Sequence, residues 1–171
     1  MTSDGKTLNI LTSDKIQRIL KRMSIQILEN NLGVSKVVLV GITGQGYQMA
    51  LILQKILQTT HSAAMTCELA ELIIDKKNPV AGDISLSIDV NLLNHQTVIL
   101  VDDVINTGRT QAYGIKFLLT SAIKKLETAI LVDRSHKLFP VSTSYCGLAL
   151  STTLEEHVEV SLETGRGAFL Y

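Results

Sequence analysis

Cysteine is scarce in this chain. Cys67 and Cys146 are the two in 171 residues, far apart and without the paired spacing of a metal knuckle. They are expected to be buried, reduced thiols rather than a disulfide. Histidine is thin as well: His61, His95 and His157 stand isolated and read as surface or capping side chains rather than ligands. Neither sign of charge is in excess. Sixteen Lys and Arg balance sixteen Asp and Glu, which removes any bulk drive toward nucleic acid or acidic membranes while leaving a local basic face open. No apolar run reaches membrane-spanning length and no amino-terminal leader pattern is present, so the expected location is cytoplasmic, with no membrane partner. Repeats, low-complexity tracts and interdomain linkers are also missing, and one domain over residues 1–171 is expected.

What is abundant is apolar surface. Hydrophobic residues make up 46% of the chain and mean hydropathy is positive, more than a small monomer needs, so a homo-oligomer, dimer or tetramer, is expected. Ser13 and Asp14 are placed to start a helix, with Asp14 and Gln17 fitting a capping box. Ile16, Ile19, Leu20, Met23 and Ile27 then repeat at helical spacing, and Gly33 is the expected stop. Val37–Val40 reads as a buried strand leading into a second helix with an apolar face of Met49, Ala50, Leu53, Ile56 and Leu57. A strand is expected within Met65–Ile74, then a break at Lys76-Lys77-Asn78-Pro79 with Gly82. Leu86, Ile88 and Val90 alternate as a half-buried strand would; Val158, Val160 and Leu162 alternate as an edge strand would. Strands at Val98 and at Ala129–Val132 flank a helix opening near Thr110. Its expected apolar face is Ile115, Leu118, Leu119 and Ala122. Alternating strand and helix define the expected class: α/β, with a mostly parallel central sheet flanked by helices.

The most informative segment runs from Val98 to Thr110. A buried strand, Val98-Ile99-Leu100-Val101, delivers the adjacent carboxylates Asp102 and Asp103. Asn106-Thr107-Gly108-Arg109-Thr110 then opens a helix, whose first backbone N–H groups lack internal partners and suit a phosphate. Acids beside a phosphate cradle fit a sugar phosphate whose hydroxyls and metal need anionic partners. A phosphoacceptor receiver domain also places acids after a strand, but near its amino terminus, whereas about a hundred residues precede this pair. Gly41-x-x-Gly44-x-Gly46 follows the earlier strand. It lacks the Lys-Ser/Thr of a P-loop and the glycine spacing of a dinucleotide fingerprint, and alone would be a tight strand-to-helix turn. Both loops leave strand ends, where ligands of open parallel sheets collect.

Asp102–Thr110 resembles the phosphoribosyl pyrophosphate (PRPP) motif of the type I phosphoribosyltransferases. Leu11–Leu57, including Leu39-Val40-Gly41-Ile42, resembles their pyrimidine-operon regulator/uracil phosphoribosyltransferase branch. So does Leu131-Val132-Asp133-Arg134-Ser135-His136, followed by Pro140, Tyr145 and Gly147. The likeness covers nearly the whole chain and is weakest between His61 and Gln96 and after Leu162.

The resemblance implies a type I phosphoribosyltransferase-like fold with a small hood from about 133–150 and the terminal segments. It implies PRPP and a pyrimidine-like nucleobase, uracil first, as substrates, giving UMP and pyrophosphate with Mg²⁺ as cofactor. Asp102 and Asp103 would hold the ribose hydroxyls, directly or through Mg²⁺-bound water; Thr107, Gly108, Arg109 and Thr110 would hold the 5-phosphate. Asn106 stands where oxopurine-specific relatives use Asp, which disfavours a purine. Ile42, Thr43, Gly44, Gln45 and Gly46 would form the pyrophosphate loop, with a non-proline cis peptide at Ile42–Thr43. Asp75–Asp83 would be the lid, led by Asp75, Lys76 and Lys77. Asp133 and Arg134 read either as neighbours of the base or as a surface ion pair.

Three departures stand out. The branch usually carries Lys-Thr-Arg-Gly where this chain has Thr43-Gly44-Gln45-Gly46, so two cations are lost. Its lid begins with Arg and acids, where this chain has Asp75 and then two lysines, point charges rather than a bidentate fork. The stretch between the second helix and the PRPP motif is also shorter than usual. PRPP binding is therefore better supported than turnover. His136 and Lys137 match basic positions of RNA-binding members of the branch. Ile25, Asn30, Ser142 and Leu148 replace other basic positions, so RNA is a disfavoured partner.

Overall fold

The computed structural model describes residues 7–61, 65–151, 156–163 and 167–171. Five parallel strands and one short antiparallel edge strand form the main sheet. In chain order these are β2 (Lys36–Ile42), β3 (Thr66–Ile73), β4 (Ser85–Leu86), β5 (Thr97–Ile105), β6 (Lys125–Asp133) and β7 (Tyr145–Ala149). Their spatial order is β4-β3-β2-β5-β6-β7, with β4 the antiparallel member. A second, antiparallel sheet joins the two ends of the chain in the order β1-β9-β8, from β1 (Leu8–Thr12), β8 (Val158–Val160) and β9 (Gly167–Leu170).

Alternation along the central strands sorts side chains onto two covered faces. Val37, Leu39, Ile99 and Val101 pack with α1 (Ser13–Asn30) and α2 (Gln45–His61) and reach Val158, Val160 and Ala168 of the small sheet. Val38, Val40, Val98 and Leu100 pack on the other face with Leu118 of α3 (Arg109–Leu118). Because both faces are covered, Val98–Val101 is fully buried throughout, which is why it reads as an unbroken apolar run.

Several boundaries differ from the sequence expectation. The N-cap of α1 is Thr12, whose Oγ1 accepts from the Lys15 N–H at 3.3 Å, placing Ser13 and Asp14 inside the first turn. Leu86–Val90 is not one strand: only Ser85 and Leu86 pair with β3. Asp89 accepts from the Asn91 N–H at 2.9 Å and caps a 3₁₀ turn over Val90–Leu93, a local bond that competes with strand pairing. Helix α3 stops at Leu118, so Leu119 is 58% exposed and Ala122 is exposed, and neither extends its apolar face. Residues 145–149, expected with the hood, pair with β6 in the main sheet, because the buried edge of β6 needs a partner for its backbone groups. The second sheet is built from the chain ends. Cys67 and Cys146 are both free thiols, Cys67 fully buried. Among the described residues no helix is long and apolar enough to cross a membrane.

Candidate functional site

Strand β5 runs four residues past Val101, to Ile105, and carries Asp102 and Asp103 within it. Asp102 is buried and fully engaged. Its Oδ2 accepts from Gln111 Nε2 at 2.7 Å, and its Oδ1 accepts from Lys76 Nζ at 2.8 Å and from the Asp103 N–H at 3.0 Å. Asp103 is more open, with its Oδ1 3.4 Å from the same ammonium. Burial, and then the adjacent Asp103, push the Asp102 carboxyl above the usual carboxylate range; Lys76 opposes both. Burial lowers the Lys76 ammonium, but Asp102 and Asp103 outweigh it and leave its pKa raised.

Gly46, at the start of α2, lies against this pair. A Cβ there would stand 2.7 Å from Asp102 Oδ1 and 3.0 Å from the Val101 carbonyl, so the close approach of helix and strand requires glycine. The N-cap of α3 is Gly108, at φ +80° and without a side-chain cap. A left-handed glycine here turns the chain from β5 into α3; Thr107 Oγ1 accepts from the Arg109 N–H at 3.3 Å, and Gly108 itself adds no side chain over the first turn.

Beside them is a cavity of about 510 Å³. Lys76 and Lys77 line it from the segment after β3, Asp103 and Val104 from β5, and Asn106, Thr107, Arg109 and Thr110 from the loop and start of α3. The fourth wall is His157, Val158, Glu159 and Val160. Sequence reasoning set His157 aside as isolated and did not connect β8 to the site; the available signal was the His157/Glu159 pair interleaved with buried Val158 and Val160. Gln111 was missed as well, one residue past the motif on an otherwise apolar helix.

Asp102, Gly108, Gly46 and the remaining expected residues do not line this cavity. Asp75 Oδ1 accepts from the Lys77 N–H at 2.9 Å and shapes the turn after β3. Ile42 is in the core. Thr43 donates its hydroxyl to Glu71 Oε1 at 2.9 Å and its N–H to the Leu72 carbonyl at 2.9 Å. Gly44 turns the loop at φ +85°. Gln45 points elsewhere: its Oε1 accepts from the Leu162 N–H at 3.2 Å, beside a separate cavity of about 360 Å³. No described peptide is cis, so Ile42–Thr43 is trans, with the Thr43 N–H spent on β3.

Asp133 and Arg134 are both buried rather than at the surface. Arg134 Nη1 donates to Asn106 Oδ1 at 2.8 Å and Nη2 donates to the Glu156 carbonyl, bracing the loop between β5 and α3 against the segment that leads into β8. Asp133 accepts from Lys137 Nζ at 2.8 Å, the Ser135 N–H at 3.0 Å and Thr143 Oγ1 at 2.9 Å. Burial would raise its pKa, but those bonds, Lys137 first, hold it below the usual range.

The donor set fits a cation that arrives with its substrate. Among the described residues no group of three or more His, Cys, Asp or Glu is placed to hold a metal. An ammonium nevertheless already sits on the acid pair as a stand-in cation. Mg²⁺ keeps several waters and is commonly held by one or two carboxylates plus substrate oxygens, which Asp103, with its one long contact, is able to supply.

A mostly parallel sheet with carboxylates and a glycine-capped helix start at one edge defines an α/β protein whose strand ends are laid out as open sheets of this kind lay out their ligand sites. Comparison with known proteins gives the family. The model of the phosphoribosyl transferase domain matches residues 6–163. The chain belongs to this family, as a type I, PyrR-like member. It is 32% identical over 162 residues to the "Bifunctional protein PyrR" of Haemophilus ducreyi, covering 90% of this chain and 89% of the relative. It is 34% identical over 160 residues to that of Staphylococcus saprophyticus, covering 90% and 91%. Among solved structures, a hypoxanthine phosphoribosyltransferase from Staphylococcus aureus superposes with a TM-score of 0.70 at 19% identity, covering 86% of this chain and 80% of its own. A hypoxanthine-guanine phosphoribosyltransferase from Bacillus anthracis gives 0.70 at 17%, covering 85% and 84%. At those identities the likeness is one of fold.

Proposed function

We propose that this protein transfers the phosphoribosyl group of PRPP to a pyrimidine-like base, uracil giving UMP, and releases pyrophosphate. One observation carries the reading: Asp103 and the start of α3 face the same 510 Å³ cavity. The first-turn amides and the Thr107 and Thr110 hydroxyls would seat the 5-phosphate. Asp102 and Asp103 would hold the ribose hydroxyls and stabilise the positive charge that develops on the ring as pyrophosphate departs. Mg²⁺, when bound with PRPP, neutralises the leaving pyrophosphate. Lys76 and Lys77 enter from the lid and would supply the cations missing from Thr43–Gln45, while closure of Asp75–Asp83 excludes water that would hydrolyse PRPP.

Asn106, held by Arg134 rather than carrying a charge, supports the pyrimidine preference. The RNA-binding alternative loses support, since Lys137 is committed to Asp133. Incubation with PRPP, Mg²⁺ and each nucleobase, followed by pyrophosphate detection, tests the proposal. Release of pyrophosphate with uracil is expected. Saturable PRPP binding with no product from any base would instead make this a PRPP-binding paralogue without turnover. Association into a homo-oligomer is part of the same proposal and is read by sedimentation.

A further inference from the structure

We infer that Lys76 is a resident counterion of Asp102 and Asp103, which the ligand's own cation must displace before the site can fill. The inference rests on the transferase reading only for what the natural displacing ligand is. Adjacent carboxylates, one fully buried, repel each other and need positive charge close by. In this chain that charge comes from the lid: the ammonium stands 2.8 Å from Asp102 Oδ1 and 3.4 Å from Asp103 Oδ1. A divalent cation seeking either oxygen meets a lysine already there.

The geometry also makes the lysine releasable. Its side chain is 38% exposed at the rim of the cavity, and residues 75–78 of the lid are exposed. When the ammonium leaves, Asp102 keeps the Gln111 amide on Oδ2 and the Asp103 N–H on Oδ1, so the buried carboxylate is not orphaned. Release breaks the ion pair to buried Asp102 and the longer one to Asp103, and leaves Asp102 held by those two neutral donors. Filling the site and moving the lid become one event, because the same residue belongs to both.

Mn²⁺ is the probe, titrated alone into the full chain and followed by electron paramagnetic resonance. Lys76→Met is expected to bind Mn²⁺ about tenfold more tightly than the wild type, and Lys76→Arg, which keeps the charge, to stay near the wild type. Adding Asp103→Asn to the Met variant should cancel the gain. Equal Mn²⁺ affinity in wild type and Lys76→Met overturns the inference, as does a gain that survives Asp103→Asn. A second measurement uses the unaltered protein: Mn²⁺ should speed acylation of Lys76 by an amine reagent, and an unchanged rate overturns the inference equally. PRPP with Mg²⁺, titrated into the wild type, separates the two readings. PRPP binding with equal Mn²⁺ affinities removes the resident lysine and leaves the transferase. No PRPP binding with a tightened Mn²⁺ site does the reverse.

Discussion

Gln111 donates from Nε2 to Oδ2 of Asp102 at 2.7 Å, and both side chains are buried. One residue of α3 thus fixes the carboxylate that β5 carries into the site. Gln111→Leu keeps the volume but leaves Oδ2 without this donor in a place water does not reach. The expected cost is about 1–3 kcal/mol, read from the shift of the urea unfolding midpoint, together with weaker PRPP binding. Unchanged stability would mean that the amide is dispensable to Asp102.

The loop glycines differ in what they do, and alanine should separate them. Gly46→Ala drives a methyl to within 2.7 Å of Asp102 Oδ1, so helix or acid must shift and PRPP affinity is expected to fall by more than about tenfold. Gly44→Ala meets nothing within 4 Å but holds φ +85°. Its cost is expected to be conformational, about 1 kcal/mol, with little change in affinity. Calorimetric titration and thermal melts on both variants decide the matter.

Gly108→Ala combines both penalties at the phosphate loop. Its φ is +80° and a Cβ would stand 3.1 Å from the Phe139 carbonyl. A loss of about 1–2 kcal/mol of stability is expected, with PRPP affinity falling more steeply than base affinity, because the first-turn amides of α3 move with it. Equal losses for both ligands would argue against phosphate at this helix start.

Much of this frame was legible in the sequence for one physical reason. Central parallel strands are buried on both faces, so Val98–Val101 and Val37–Val40 announce themselves as apolar runs, and turns that need glycine announce themselves as Gly44 and Gly108. Features set by local competition were not legible. Asp89 diverting Ile88 and Val90 out of a strand depends on a side-chain bond to the Asn91 N–H, and no hydrophobic pattern records it. The wall formed by His157–Val160 was hidden for a different reason. Its alternation is legible as a strand, but its place beside β9 and β5 is a contact between distant segments, which local spacing does not record. Arg134 bracing Asn106 belongs to the same kind of long-range relationship.

Acid should loosen the turn that Asp133 holds. Its carboxyl sits below the usual range because, against burial, Lys137, the Ser135 N–H and Thr143 bond the charged form. Above the unfolded value near 3.9 both folded and unfolded chains carry the charge, and the stabilisation is complete. As pH falls below that value toward the folded one, the unfolded chain takes up the proton first and stability is lost. Asp133→Asn should therefore be less stable at neutral pH and show a flatter decline below about pH 4, measured as urea midpoints across that range. Parallel declines in both proteins would remove Asp133 as a source of the pH dependence.

The central claim is that one edge of the sheet seats a phosphorylated ribose, with its 5-phosphate on the start of α3 and its hydroxyls toward Asp102 and Asp103. A crystal structure with PRPP and Mg²⁺ bound tests it most directly. The expected result is a phosphate on the backbone amides of residues 107–110, with Lys76 withdrawn from the acid pair. PRPP lodged elsewhere, or absent from the 510 Å³ cavity at saturating concentration, would contradict it.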